Sequence, residues 1–231
     1  YLPWLGFFHK IILSDVYIAL DDVQFEKNSF NNRNKIKVNN GWTWLTVPII
    51  TSGKSKQTMI NTAEIKQNSN WSKKHFKSLK FNYSKAEYYN KYIDFFKKTY
   101  EKKWETLSEL NLHILKWLFK KLNIKTKLIC SSDIKEKQGT KDELILNLCK
   151  KFETKTYISG KNGKDYINES KFNKKGIDVH YQNYAHPVYE QIGEDFLPYM
   201  SVIDLLFNYG PKSKEIIMKN NIKRDYFNNY K

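Results

Sequence analysis

The sequence has 231 residues but only two cysteines and two arginines, and no apolar run near the roughly 18 residues that a membrane span requires. Cys130 and Cys149 lie in apolar surroundings and cannot build a disulfide framework, which excludes a secreted knot and makes a reducing cytoplasm the expected compartment. No charged-then-apolar signal segment follows Tyr1. There is no internal repeat, no Cys/His spacing suited to zinc, and no Ser-His-Asp or Cys-His order that declares a nucleophile. Membrane, coiled-coil and collagen classes are excluded, while the aliphatic and aromatic content stays above the level that marks disorder.

Positive charge is plentiful. The formal net charge is +16, from 40 basic and 24 acidic residues. Arg33 and Arg224 are the only arginines, so the other 38 basic residues are lysines. A nucleic-acid reader would favour arginine, whose fork bonds guanine or phosphate through two parallel hydrogen bonds. The charge therefore reads mainly as a bias toward lysine on solvated faces, and a nucleic-acid-binding module is disfavoured. Aromatic residues are equally abundant, with 16 Tyr, 14 Phe and 6 Trp.

The patterning predicts a helix over 5–13 and a buried strand over 16–20, then a polar loop over 21–35. Asn39-Asn40-Gly41 between β-rich runs predicts a hairpin. A further strand is expected over 59–65, with a mobile turn over Ser52–Lys56. Residues 70–123 read as helical, with Leu107, Leu110, Ile114, Leu115, Leu118 and Leu122 on one apolar stripe. Strands at 127–130, 156–159 and 177–181 alternate with helices. One of these opens at the Thr140-x-x-Glu143 capping box and another runs over Asp165–Lys174. The last helix, 201–209, stops at Gly210-Pro211. The expected architecture is a single α/β domain spanning 1–231. It has a Rossmann-like parallel sheet and an insertion at about 36–123 that carries an antiparallel β-hairpin and a helical segment.

Ligands bind such sheets beyond the C-terminal ends of the strands, so the polar segments there are the candidate sites. In the first, Asp21 to Lys35, Arg33 among so many lysines points to a phosphate or carboxylate partner, in a cleft shared with Asp22 and Asn32. An ion pair of Arg33 with Asp21 or Asp22 is the equal alternative, and the two carboxylates could also hold Mg²⁺. In the second, Gly160 and Gly163 open the backbone to a nucleotide phosphate. Lys164 adds charge, and a helix starting near Asp165 adds its positive end; Asp165 itself would take Mg²⁺ or a ribose hydroxyl. Ser131 to Lys141 forms a third cradle. In the fourth segment His186 is the candidate acid or base. His75 is a candidate ligand contact, whereas His9, His113 and His180 read as structural or surface residues.

Several stretches together resemble one family. They include Tyr1-Leu-Pro-Trp-Leu-Gly-Phe-Phe8, Leu20-Asp-Asp-Val-Gln-Phe25, Asn31-Asn-Arg-Asn34 and Gly41-Trp-Thr-Trp-Leu-Thr-Val-Pro48. Trp71-Ser-Lys-Lys-His75, Gly163-Lys-Asp-Tyr166, His186-Pro-Val-Tyr189 and Ser201-Val-Ile-Asp-Leu-Leu-Phe-Asn208 continue the match. The chain resembles the WbqC-like proteins of bacterial O-antigen and related surface-polysaccharide clusters. The resemblance implies a cytoplasmic enzyme that modifies an amino sugar, nucleotide-linked, by acyl or aminoacyl transfer, with glycine as the suggested donor. ATP and Mg²⁺ are candidate cofactors, and the expected partners are the sugar and the acyl or amino-acid donor. The family pattern also places a short strand ending in Gln-Pro ahead of Tyr1. A fainter similarity links the Tyr-Leu-Pro-Trp-Leu-Gly opening to pantothenate synthetase, an enzyme of acyl-adenylate chemistry, although the His-x-x-His signature is missing. The candidate catalytic residues are His186, Asp22 and Lys164. The candidate binding residues are Tyr1, Trp4, Gln24, Asn32, Arg33, His75, Gly160, Gly163, Asp165, Tyr166 and Tyr189. No metal ligand is assigned. The alternative is a non-catalytic glycan-binding or scaffold protein of the same pathway.

Overall fold

The computed structural model describes residues 1–51 and 58–230. The turn expected at Ser52–Lys56 lies outside the described residues. The apolar opening forms α1 (Leu5–Leu13), and the compact run after it forms β1 (Val16–Ala19). A hairpin follows, β2 (Arg33–Val38) with β3 (Gly41–Thr46). Neither asparagine of its two-residue loop has a positive φ; that conformation falls on Gly41, at φ +108°, where a side chain would be strained.

The stretch from 70 to 123 is three helices: α2 (Trp71–Tyr83), α3 (Tyr89–Glu101) and α4 (Leu107–Lys121). The capping box is at the start of α4. There Thr106 accepts the Glu109 N–H at 3.3 Å, and Glu109 accepts the Thr106 N–H at 3.1 Å. Thr140 makes no such side-chain bond, because the chain enters α5 (Lys141–Lys151) through Lys141 at φ +50°. The strand expected over 59–65 is a 3-10 turn at Ile60–Thr62 flanked by the isolated bridges of Gln24 with Met59 and Ile49 with Ile65.

After β4 (Lys127–Cys130), α5 leads to β5 (Thr156–Ser159). The helix expected from Asp165 starts later. Residues Lys161–Asp165 form a 3-10 turn, and α6 spans only Glu169–Asn173 before β6 (Asp178–Tyr181). The chain ends with α7 (Val202–Tyr209), α8 (Ser213–Met218) and a 3-10 stretch at Arg224–Tyr230.

The fold is mixed α/β. The expected strands pair in parallel, β1 with β4 and β5 with β6. They form two separate two-stranded sheets among the described residues, however, instead of one continuous Rossmann-like sheet. Each pair is cross-linked only to itself by backbone bonds, and the packing divides in the same way. A large core joins α1, the hairpin, the three helices 71–121 and α7 around Phe8, Ile36, Phe96 and Phe207, all fully buried. A smaller cluster of Cys149, Ile167, Phe172 and Ile177 covers β5 and β6.

Candidate functional site

A cavity of about 300 Å³ opens where β1 ends. Pro3, Trp4 and Phe7 from the start of α1 form one wall, and Tyr17, Ala19, Leu20 and Asp21 form the next. Phe30 and Asn31 close it from the loop before the hairpin, and Ser108, Asn111, Leu112 and Leu115 close it from one face of α4. The volume is at the lower end for a small-molecule site, and mostly apolar walls with a few polar groups are its usual chemistry.

The polar groups are held firmly. Asp21 is buried and accepts the Ser132 N–H at 2.9 Å and the Ser132 hydroxyl at 2.7 Å from the turn after β4, with the Ser131 hydroxyl, whose single proton it shares with Asp22, at 3.2 Å. A carboxylate offers about four lone-pair positions, so one remains on Oδ2. Asn34 donates to the Leu2 carbonyl at 2.6 Å. Asn111 donates to the Asn31 carbonyl at 2.9 Å, while its own Oδ1 is buried with no hydrogen-bond partner. An unpaired buried acceptor is costly, and here it belongs to a residue that lines the cavity.

Tyr1 connects the cavity to the interior. Its backbone nitrogen donates to the Phe30 and Asn31 carbonyls at 3.1 and 3.0 Å. Its hydroxyl lies 2.8 Å from His75 Nδ1 and 2.6 Å from the Tyr100 hydroxyl. Burial lowers His75 to about 3, against a smaller opposing effect of its bond to the Thr46 carbonyl. His75 is therefore neutral: Nε2–H is assigned as donor to Thr46, which leaves Nδ1 to accept from Tyr1. Burial also raises the Tyr1 phenol, helped by the neighbouring Tyr100.

The expected site residues fall into separate places. Tyr1 and Trp4 line the cavity, and His75 stands behind Tyr1. Asp22, one residue beyond Asp21, turns away to Lys137 and Ser131. Burial pulls its carboxyl up, but those bonds prevail and hold it below the ordinary range. Arg33 pairs with neither Asp21 nor Asp22; its guanidinium carbon lies 4.2 Å above the Trp44 ring. Asn32 is buried in the hairpin base, donating to the Val47 carbonyl at 2.9 Å. Gln24 is exposed, at the bridge to Met59.

His186 and Tyr189 belong to an aromatic group behind Trp4, with the His186 ring stacked on Trp4 at 6.4 Å. His186 donates from Nδ1 to the Pro187 carbonyl at 3.0 Å, and its Nε2 accepts the Tyr199 N–H at 3.1 Å, so both nitrogens are engaged by backbone. Burial lowers its pKa.

None of Gly160, Gly163, Lys164, Asp165 or Tyr166 lines the cavity. Lys164 is exposed, with Nζ 5.3 Å from the Tyr181 ring centre. With α6 starting at Glu169, no helix end reaches this loop. Gly163 is required for packing instead, since a Cβ there would meet Ser159 Oγ at 1.9 Å. The third cradle is also filled from within, because Ser131 and Ser132 bind the chain's own carboxylates. Among the described residues no three His, Cys, Asp or Glu side chains cluster as a metal site.

Sequence reasoning missed Phe7, Tyr17 and Asn111, and it placed Phe30, Asn31 and Asn34 in the candidate segment at 21–35 without singling them out. The one available signal was Ser108 and Asn111, polar residues at i, i+3 beside the apolar stripe of α4.

The sequence model described as the WbqC-like protein family matches residues 1–216. The uncharacterized protein Rv1507c of Mycobacterium tuberculosis is 34% identical over 219 residues, which cover 94% of each chain. No solved structure matches. No helix among the described residues is long and apolar enough to cross a membrane.

Proposed function

The chain belongs to the WbqC-like protein family, and from that premise we propose that it acts in surface-polysaccharide biosynthesis, binding an amino sugar in the cavity beside β1. The single observation that carries this reading is the lining. Trp4, Phe7, Tyr17 and Phe30 offer flat apolar faces to a sugar ring. The free Asn111 Oδ1 and the remaining lone pair of Asp21 offer acceptors to its hydroxyl and amino groups. The sugar is nucleotide-linked, and the chemistry is acyl or aminoacyl transfer, with glycine as the first donor to test and ATP with Mg²⁺ as the activating pair.

In that reaction the sugar amine attacks the carbonyl of an activated acyl donor. The C–N bond forms, the bond to the donor's leaving group breaks, and the amine proton passes to a base. Asp21 is the carboxylate placed for that role, in place of Asp22, which is held by Lys137. The two parallel strand pairs are read as parts of a Rossmann-like framework, and the cytoplasm as the compartment.

The test is calorimetry with UDP- and GDP-linked amino sugars, followed by mass spectrometry after incubation with ATP, Mg²⁺ and glycine. Binding by the wild type, with Asp21→Asn about tenfold weaker as befits one charge-assisted hydrogen bond, supports the site. Absence of binding by every amino sugar refutes it. A second reading, a non-catalytic glycan-binding protein, is favoured by one observation: nearby reactive groups are not activated. Burial raises the Cys130 thiol and the Tyr17 phenol, and His186 has no free nitrogen. Binding without a glycylated product would decide for it.

A further inference from the structure

We propose that the outer face of the β2–β3 hairpin is the platform for the nucleoside diphosphate of the same ligand, an inference that rests on the cavity being the sugar site. The face follows from the pairing. In an antiparallel ladder alternate residues share a side, and the register sets Lys35 opposite Trp44 and Arg33 opposite Thr46. Asn34, Ile36 and Leu45 take the other side and are buried in the core. The outer side therefore gathers Arg33, Lys35, Trp42 and Trp44. The Arg33 guanidinium lies 4.2 Å above Trp44, and the Lys35 ammonium 3.9 Å above Trp42. The two indoles meet edge to face at 5.6 Å.

Three features separate this face from an ordinary solvated strand pair. Trp42 is 44% exposed and Phe30 is 64% exposed, which is unusual for large apolar side chains lying together. Neither Arg33 nor Lys35 has a carboxylate partner among the described residues, and Arg33 Nε is buried with no hydrogen bond. By contrast, the other arginine, Arg224, is paired with Asp15. Two unpaired cations over indoles set edge to face match a ligand that carries both negative charge and a flat ring: the cations meet phosphate oxygens, and the aromatic faces meet a base.

Continuity selects the occupant. Phe30 lines the cavity and also contacts Trp44, with ring centres 6.1 Å apart. One molecule can therefore place its sugar in the cavity and pass over Phe30 to lay its diphosphate and base along the hairpin. The loop at 160–166 offers neither this continuity nor a helix end.

The test uses sugar-free UDP and GDP as probes, with tryptophan fluorescence and calorimetry at two salt concentrations. Wild type is expected to bind both, with fluorescence quenching and weaker binding at high salt. Arg33→Lys should weaken binding about tenfold, since one ammonium cannot replace the planar fork. Trp42→Ala, an exposed position whose fold is checked by circular dichroism, should weaken it comparably. Free glucosamine, which reports the cavity alone, should bind Arg33→Lys as it binds wild type. If free glucosamine binds and neither UDP nor GDP does, the platform is overturned and the cavity reading stands. If UDP binds with the predicted losses but UDP-linked glucosamine binds no tighter, the platform stands and the cavity reading falls. If a single-stranded oligonucleotide binds the same face more tightly than UDP, the occupant is a nucleic acid and the proposal is overturned.

Discussion

Acid should weaken this protein in good part through the buried imidazole of His75. His75 titrates at 6.5 when free and is lowered to about 3 by burial in the fold. The unfolded chain therefore binds a proton between those values while the native chain does not. Stability rises with pH across that window and is lost as pH falls through it, because ∂ΔG/∂pH follows the excess of protons on the unfolded state. The full difference of about 3.5 pKa units is worth roughly 5 kcal/mol. Going from pH 7.5 to 4.5 covers two of them and should remove about 3 kcal/mol. That is a large share of the roughly 5–15 kcal/mol a domain commonly has. Other groups titrate in the same range. Asp204, raised by burial, contributes with the opposite sign: its stabilisation is present below about 3.8 and is lost as pH rises above it. The comparison is therefore between wild type and His75→Gln, each unfolded in urea at both pH values, so that the shared groups cancel. The variant should begin less stable, having lost the Tyr1 bond, but lose about 3 kcal/mol less on acidification. Equal losses would refute the reasoning. So would a His75 ring signal titrating near 6.5 in the native protein, which NMR can resolve in a chain with five histidines.

The Tyr83 hydroxyl joins three elements: it donates to Asp204 of α7 at 2.9 Å and accepts the Lys37 N–H of β2 at 3.1 Å. Tyr83→Phe removes a hydrogen bond to a buried carboxyl and leaves a strand amide unpaired, so urea denaturation should show a loss of about 3–5 kcal/mol. Tyr89→Phe, whose hydroxyl makes no hydrogen bond among the described residues, should lose under about 1 kcal/mol in the same assay. Gly210 has φ +51°, and a Cβ there would approach Tyr88 Cδ1 to 2.3 Å. Gly210→Ala should accordingly lower the thermal midpoint by several degrees, the equivalent of about 1–3 kcal/mol of strain.

Elements set by local chemistry were legible in the sequence. The short runs at 16–19, 127–130 and 156–159 form strands, and the Asn-Gly turn forms the hairpin. What local chemistry could not give was where long-range contact overrides it. Thr140 and Glu143 match a capping box as well as Thr106 and Glu109 do, but the backbone turns into that helix through Lys141 at φ +50°, and Thr140 makes no side-chain cap bond. The helical stretch from 70 to 123 breaks near 84–88, where the Tyr88 N–H donates to the Phe207 carbonyl of α7 at 2.9 Å, a partner 119 residues away in sequence. The parallel strands were recognisable one by one. Their division into two pairs depends on which edges meet, and nothing within a strand's own residues records that.

The site illustrates the same limit at the scale of one residue. Asp21 and Asp22 are adjacent and chemically identical, and at the end of a strand successive side chains diverge. One enters the cavity and is fixed by Ser131 and Ser132; the other leaves for Lys137. The residues that follow β4 distinguish them, because Ser132 donates to Asp21 and Lys137 takes Asp22. Arg33 was conspicuous by rarity alone, and rarity pointed to a need for its fork without giving the direction. A pairing with Asp21 or Asp22, the alternative reading of the sequence, would have neutralised it. The hairpin register sets it over Trp44 instead, on the side away from the core and without a counter-charge. An arginine kept unpaired over an exposed indole, in a chain that elsewhere uses lysine, is the arrangement an incoming anion would complete.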